Sequence, residues 1–232
     1  MTPLERLERF KGSYTYGEVV KGDSYRLTYL TPLVQPDVIY DIGANVGIFT
    51  LWAKHRFPHA RIIAVEPEPE NVEVLREVCD GLDGVTVIHA AVGKHPMYFR
   101  RGVDRGKHAF VSERPGYPEE MLAKATYMEL TNVAVVSLGE LFATHGGEHY
   151  FVKVDTEGAE GNLIGDKAAN AVLLDAEYVT MEMHFWAMTR ELIQEAYEAR
   201  MRWLIGFRAT HSIEMKLWKA AGMVWMTRIV KQ

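Results

Sequence analysis

Val38-Ile39-Tyr40-Asp41-Ile42-Gly43-Ala44-Asn45-Val46-Gly47 is the stretch on which the fold turns. Three apolar residues lead into an acid, a loop punctuated by glycine follows, and residues 46–57 carry helical spacing stopped by Pro58. A buried strand that passes through a glycine loop into a helix is the opening unit of a parallel α/β sheet. The pattern then repeats. Residues 61–65 predict a second strand, residues 69–79 a helix with Val72, Leu75 and Val78 on one face, and residues 85–91 a third strand. Right-handed crossovers place such helices on both faces of the sheet. The expected fold class is therefore α/β, a doubly wound and mostly parallel sheet.

Regular patterning fades after Lys94, where short extra strands are predicted at residues 97–99 and 133–136. Ser137-Leu138-Gly139-Glu140 is a capping box that opens a short helix. Residues 150–154 predict a fourth strand ending at Asp155, and residues 178–183 a fifth. Leu192, Ile193, Ala196, Tyr197 and Leu204 follow at helical spacing, and residues 223–230 predict a last strand. Only one clear strand follows His184, so a final antiparallel hairpin is hard to find in the sequence. Upstream, Thr2-Pro3-Leu4-Glu5 is a second capping box with proline at the first helical position. Gly12, Gly17 and Gly22 punctuate a predicted strand over residues 14–20, and a helix follows Asp23 and ends before Pro36. Residues 1–35 read as a cap segment on a domain spanning residues 36–232.

Composition narrows the function classes. Of 232 residues, 48% are hydrophobic and 25% charged, which marks a globular chain and excludes a disordered one. The formal net charge of −5 offers no global basic footprint for nucleic acid. Arg100, Arg101, Arg105 and Lys107 form one local basic cluster, read as a solvated loop. The glycine-punctuated residues 100–117 suit a mobile lid. Cys79 stands alone, so no intrachain disulfide forms, and the expected setting is the cytoplasm. Glu5, Arg6, Glu8 and Arg9 break any signal-peptide run, and no apolar stretch is long enough for a membrane helix.

The chemistry collects at strand ends. The dinucleotide pattern of three spaced glycines fails because Asn45 stands where its second glycine would be. Asp41 would also repel a pyrophosphate. S-adenosylmethionine has no phosphate and carries an ammonium and a sulfonium, so Asp41, Gly43, Asn45 and Gly47 suit it better. Glu66 ends the second strand 23 positions after Gly43, where an acid takes ribose hydroxyls. Ala90 and Ala91 would lie beside the adenine. Alternation puts Lys153 and Asp155 on one side of the fourth strand, and Glu182 and His184 on one face of the fifth. Lys153 reads equally as a structural partner of an acid or as a direct participant. Asp155, which also counts among the cofactor-binding residues, forms the predicted catalytic group with Glu182 and His184, with His184 as general base held by Glu182 or Asp155. The rival assignment makes Asp155, Glu157, Glu182 and His184 ligands of magnesium or manganese; it is not the favoured one. His55 with His59, and His145 with His149, have metal-like spacing but read as surface pairs.

Four blocks in order, Tyr40 to Gly47, Ala64 to Asn71, Phe151 to Glu160 and Met181 to His184, resemble the FkbM-type family of class I S-adenosylmethionine-dependent methyltransferases. The resemblance implies a Rossmann-like fold, the cofactor S-adenosyl-L-methionine, and O-methylation of a hydroxyl on a sugar or secondary metabolite. The implied partner is a small-molecule or carbohydrate acceptor, with neither nucleic acid nor membrane. Two other classes share the fold. A nucleic-acid methyltransferase would want positive charge, and the Asp-Pro-Pro-Tyr motif of amino-methylating enzymes is absent. A non-catalytic cofactor-binding module would have little use for an acid–histidine cluster at strands four and five.

Overall fold

The computed structural model describes residues 1–93, 97–100, 109–112, 133–157, 159–184, 190–218 and 221–228. Helix α1 (Pro3–Leu7) opens on Thr2, whose side chain and that of Glu5 satisfy each other's backbone N–H groups. A short helix α2 (Tyr14–Tyr16) runs directly into a π-helical turn (Gly17–Lys21), and α3 (Leu27–Leu30) completes the N-terminal segment. The strand expected over residues 14–20 is thus helical. Ser13 caps it by accepting from the Tyr16 N–H at 3.2 Å. Tyr16 and Val19, three apart, are both buried in the cluster that contains the helix after the first strand. Tertiary burial of one helical face overrides the strand preference of a tyrosine- and valine-rich segment.

The core sheet starts with β1 (Val38–Ile42), α4 (Ile48–Arg56), β2 (Arg61–Glu66), α5 (Pro69–Cys79) and β3 (Val85–His89). Every residue of β1 is buried, as a parallel strand covered on both faces requires. The third strand ends earlier than expected. Ala91 and Val92 form a separate short strand β4, which pairs with β7 (Val135–Val136). Between them, β5 (Met97–Arg100) pairs antiparallel with β6 (Ala109–Ser112). The rest of the basic cluster and most of the expected lid, residues 101–108 and 113–117, lie outside the described residues.

Helix α6 (Leu138–His145) opens on the Ser137–Glu140 capping box. After it come β8 (Tyr150–Val154), α7 (Glu160–Ile164), α8 (Lys167–Asp175), β9 (Tyr178–His184), α9 (Arg190–Phe207), β10 (His211–Trp218) and β11 (Ala221–Arg228). Seven strands form one sheet in the order β10-β11-β9-β8-β1-β2-β3. All neighbours are parallel except β11, which runs antiparallel to both β9 and β10. A final hairpin therefore exists where one strand was expected. β10 hides in the sequence because Glu214 and Lys216 alternate with Ile213 and Met215 on an edge strand.

Apolar layers cover both faces. One packs Tyr40, Ile42, Val152 and Met181 with residues of α6, α8 and α9. The other packs Ile39, Ile62 and Phe151 with α4 and α5, and it also takes Leu7, Tyr25, Leu27 and Leu30 from the N-terminal segment. The crossing point of this topology lies where β1 and β8 run side by side with their helices on opposite faces. In open α/β sheets, ligands bind beyond the carboxyl ends of strands at such a point.

Candidate active site

Three loops meet at that edge. The loop after β1 folds back so that the N–H groups of Gly43 and Ala44 both donate to the Val65 carbonyl, at 2.9 and 3.0 Å. Gly43 has φ +79°, and a Cβ there would lie 1.8 Å from the Asp155 carbonyl oxygen. Gly47 has φ +91°, and its Cβ would press on Leu75 Cδ1 at 2.8 Å. Both glycines let chain approach chain: Gly43 seats the β1 loop against the β8 loop, and Gly47 seats α4 against α5. Asn45, also left-handed at φ 51°, gives its N–H to Glu66 Oε2 at 2.8 Å, and its own Oδ1 accepts from the Val46 N–H at 2.7 Å. Glu66 Oε1 accepts from the Glu68 N–H and the Asn71 amide, at 3.0 and 3.3 Å. Burial pushes the Glu66 pKa up, and these donors partly offset the shift. The acid at the end of β2 therefore ties the glycine-flanked β1 loop to the turn that leads into α5. Ala90 and Ala91 are buried at the end of β3 and at β4.

Below the loop lies a buried ion pair. Asp41 has no exposed surface; its Oδ2 accepts from Thr50 Oγ1 at 2.6 Å, and its Oδ1 stands 3.1 Å from Lys153 Nζ. Asp41 and Lys153 are cross-strand partners in the β1–β8 ladder. Lys153 Nζ also donates to the Gly43 carbonyl at 2.6 Å and lies 5.5 Å from the ring centres of Tyr25 and Phe49. Burial opposes its charge, but Asp41 and Asp155 more than compensate and raise its pKa. Lys153 is thus the structural partner of an acid, holding the loop from beneath. Asp41 supports the loop and does not line its surface.

The reactive groups stand on the rim. Asp155 follows β8; its Oδ2 accepts from Tyr25 Oη at 2.8 Å, and its Oδ1 is buried without a hydrogen-bond partner. His184, at the end of β9, places Nδ1 3.1 Å from Glu160 Oε1 and Nε2 3.5 Å from Glu157 Oε2 and 3.6 Å from Glu182 Oε1. Glu160 is wholly buried at the start of α7, where it also takes the Thr156 N–H and hydroxyl, with Arg200 Nη2 at 3.9 Å. Burial works against the His184 imidazolium. The Glu160 charge and hydrogen bond, then Asp155 and Glu157, outweigh it and raise the pKa to about 10. Burial and the Asp155 charge raise Glu157 to about 7 and Glu182 to about 8. Glu18, from the π-helical turn, is raised by burial and by Asp155.

The donor set suits a cation. Asp155 Oδ1 is an orphaned acceptor in an acidic rim, and Lys153 is spent beneath the loop. An ammonium fits such a place; a pyrophosphate does not. Asp155, Glu157 and His184 also offer three ligand atoms within 4.8 Å of one another, which is the geometry the metal assignment needs.

Residues 41–215 match the family described as "Methyltransferase FkbM domain". The chain belongs to the FkbM methyltransferase family. Its mostly parallel seven-stranded sheet is the doubly wound α/β fold expected from its sequence. Methyltransferase sdnD of Sordaria araneosa is 29% identical over 89 residues, which cover 37% of this chain and 33% of that protein. AMB antimetabolite synthetase AmbE of Pseudomonas aeruginosa is 38% identical over 55 residues, covering 23% of this chain and 2% of that protein. The chain thus spans a third or less of the curated relatives it matches. A Klebsiella pneumoniae protein assigned as an O-methyltransferase shares the fold with a TM-score of 0.52 at 12% identity, covering 98% of this chain and 88% of that one. Among the described residues no helix is long and apolar enough to cross a membrane.

Asp155, Glu157, Glu182 and His184, singled out in the sequence, meet at one place in this FkbM methyltransferase. Asn45 lies in the adjoining loop, with Glu66 beside it and Asp41 beneath it. Sequence reasoning missed Tyr25, Glu18 and Arg200 and gave Glu160 no role. Expected partners of His184 were Glu182 or Asp155, and the imidazole's close partner is Glu160. Their separations of 24 to 130 positions leave no local signal.

Proposed function

We propose that this enzyme transfers the methyl group of S-adenosylmethionine to a hydroxyl of a sugar or small-molecule natural product, in the cytoplasm and with neither nucleic acid nor membrane as partner. The observation that carries this reading is the His184 imidazole, clamped at Nδ1 by buried Glu160 with Nε2 turned toward the rim. A carboxylate that fixes one ring nitrogen while the other faces the rim carboxylates Glu157 and Glu182 orients the imidazole as a positioned base requires. The acidic rim supports a neutral or cationic acceptor over a phosphorylated one.

The donor, when bound, supplies an electrophilic methyl on a sulfonium. Glu66, Asn45 and the Ala90–Ala91 turn would hold its nucleoside, and Asp155 its ammonium. Asp41 acts through the loop it supports. His184 removes the acceptor proton, and Glu182 and Glu157 stabilise the imidazolium that forms. In the free protein His184 keeps its proton at neutral pH, since its pKa stands at about 10. Positive charge brought to Asp155 weakens the carboxylate field that holds this proton, so the loaded enzyme releases it at lower pH. The limb of kcat, which reports the complex, then lies below that of kcat/KM, which reports the free enzyme.

The 4.8 Å cluster of Asp155, Glu157 and His184 supports a second reading, in which a divalent ion holds the acceptor hydroxyl. One experiment separates the two. Methyl transfer from labelled S-adenosylmethionine is measured over a panel of sugars and polyhydroxylated metabolites, with and without EDTA. The base reading expects an EDTA-insensitive rate and a loss of about 10²–10⁴-fold in kcat for His184→Ala. Loss of the rate in EDTA with rescue by Mg²⁺ or Mn²⁺ would establish the metal, and full activity in His184→Ala would discard both.

A further inference from the structure

The family match begins at Asp41, yet one hydrogen bond of the site comes from 16 positions before it. Tyr25 is 4% exposed and donates its hydroxyl to Asp155 Oδ2 at 2.8 Å. Its ring packs edge-on against Phe49 with centroids 5.1 Å apart, and its face lies 5.5 Å from Lys153 Nζ. The backbone around it is unusual. Asp23 and Arg26 both take left-handed conformations, at φ 48° and 57°, which non-glycine residues avoid.

Such strain persists only where the surroundings impose it. Here they do. Arg26 lies 3.8 Å over the Trp225 ring and 2.9 Å from Glu214, and Trp225 Nε1 donates to the Ser24 carbonyl at 2.9 Å. Contacts on both sides of Tyr25 thus fix its place against the end of β8. A buried tyrosine hydroxyl takes a hydrogen-bond partner. This one spends its hydroxyl on the carboxylate whose other oxygen has no partner.

We propose that Tyr25 is a positioning residue for the methyl donor: by holding Asp155 Oδ2 it aims Asp155 Oδ1 at the donor's ammonium, which makes the N-terminal segment a working part of the cofactor site. This rests on the reading that Asp155 takes that ammonium. Without the hydroxyl, the carboxylate is free to turn toward Lys153, whose Nζ stands 4.0 Å from the same Oδ2. The ammonium then loses its acceptor. The nucleoside end of the donor, held by the β1 and β2 loops, is untouched.

Two ligands test this by calorimetry. S-adenosylhomocysteine carries the amino-acid end, and 5′-methylthioadenosine lacks it. Tyr25→Phe is expected to weaken S-adenosylhomocysteine about 10-fold and to leave methylthioadenosine within about twofold, since only the amino-acid end is held by a hydrogen bond to a charged group. Asp155→Asn should show the same ligand dependence. Adding Tyr25→Phe to it should change neither affinity further, because the carboxylate charge that Tyr25 aims is already gone. A purely structural Tyr25 would weaken both ligands together, and an idle one would weaken neither; each result overturns the proposal. If S-adenosylhomocysteine binds the wild type but Asp155→Asn binds it as well, the reading of Asp155 fails, whatever Tyr25 does. Thermal melting of each variant separates unfolding from lost affinity.

Discussion

A Cβ on Gly43 would sit 1.8 Å from the Asp155 carbonyl oxygen, in a backbone conformation that side chains avoid. Neither atom can yield cheaply, because Lys153 fixes the Gly43 carbonyl and the Asp155 N–H is bound to Ile42 at 3.0 Å. Gly47 meets a flexible leucine end instead. Gly43→Ala should therefore separate the β1 and β8 loops, melt well below wild type and lose S-adenosylhomocysteine binding. Gly47→Ala should cost mainly its positive φ, about 1–2 kcal/mol, and keep measurable binding. Calorimetric melting and titration of the two variants check this; equal damage from both would refute the contrast. The same residue shows how far the sequence could be read. A glycine loop between strand and helix was legible. Its physical reason was not, because the atom that forbids a side chain belongs to a strand end 112 positions away. Lys153 teaches the converse. Alternation predicted a charge inside a buried strand, and only the Asp41 partner across the ladder decided that the charge is structural.

At the scale of elements, buried parallel strands announced themselves because both faces are apolar, so β1, β2 and β8 appear as plain hydrophobic runs. Elements at the margin did not. β10 carries charges on an edge, and the helical residues 14–21 carry strand-favouring side chains whose burial against α4 depends on distant packing. The N-terminal segment and the β10–β11 hairpin are the two elements least visible in the sequence, and they hold each other. Trp225, 8% exposed, gives its face to Arg26 and its N–H to Ser24. Trp225→Phe keeps a ring under the guanidinium and loses one hydrogen bond, at a cost of about 1 kcal/mol. Trp225→Ala removes the platform and opens a cavity, for which about 3–5 kcal/mol is typical. Trypsin should then cut at Arg26 or Lys21 many times faster in Trp225→Ala than in wild type, with Trp225→Phe in between. Equal cleavage of all three would show that the hairpin does not anchor the segment.

Across the whole molecule the rim's carboxylates set how stability responds to pH. Glu157 and Glu182 titrate in the folded state at about 7 and 8, and His184 at about 10, all above their ordinary values. A raised folded pKa means that the native state binds the proton more tightly than the unfolded chain. Wherever that holds, unfolding releases protons and stability falls as pH rises. For the two acids the loss runs from about 4.5 to 8, and for His184 from about 6.5 to 10. His149, raised by its bond to Glu177, acts in the same direction. His55 and His211, lowered by burial, act in the opposite one, but their contribution is complete by neutral pH. Between pH 7 and pH 9 the signs therefore agree. The melting temperature of the ligand-free enzyme should fall over that interval, by on the order of 5 °C for a chain of this size. Glu182→Gln removes one of the repelling charges and should flatten the slope. Saturating S-adenosylmethionine brings positive charge to the same rim, so the melting increment it confers should be larger at pH 9 than at pH 7. A ligand-free melting temperature that stays level or climbs from pH 7 to pH 9 would show that the rim charges are neutralised in solution by something other than the His184 proton, and a bound divalent ion would then be the first candidate to measure.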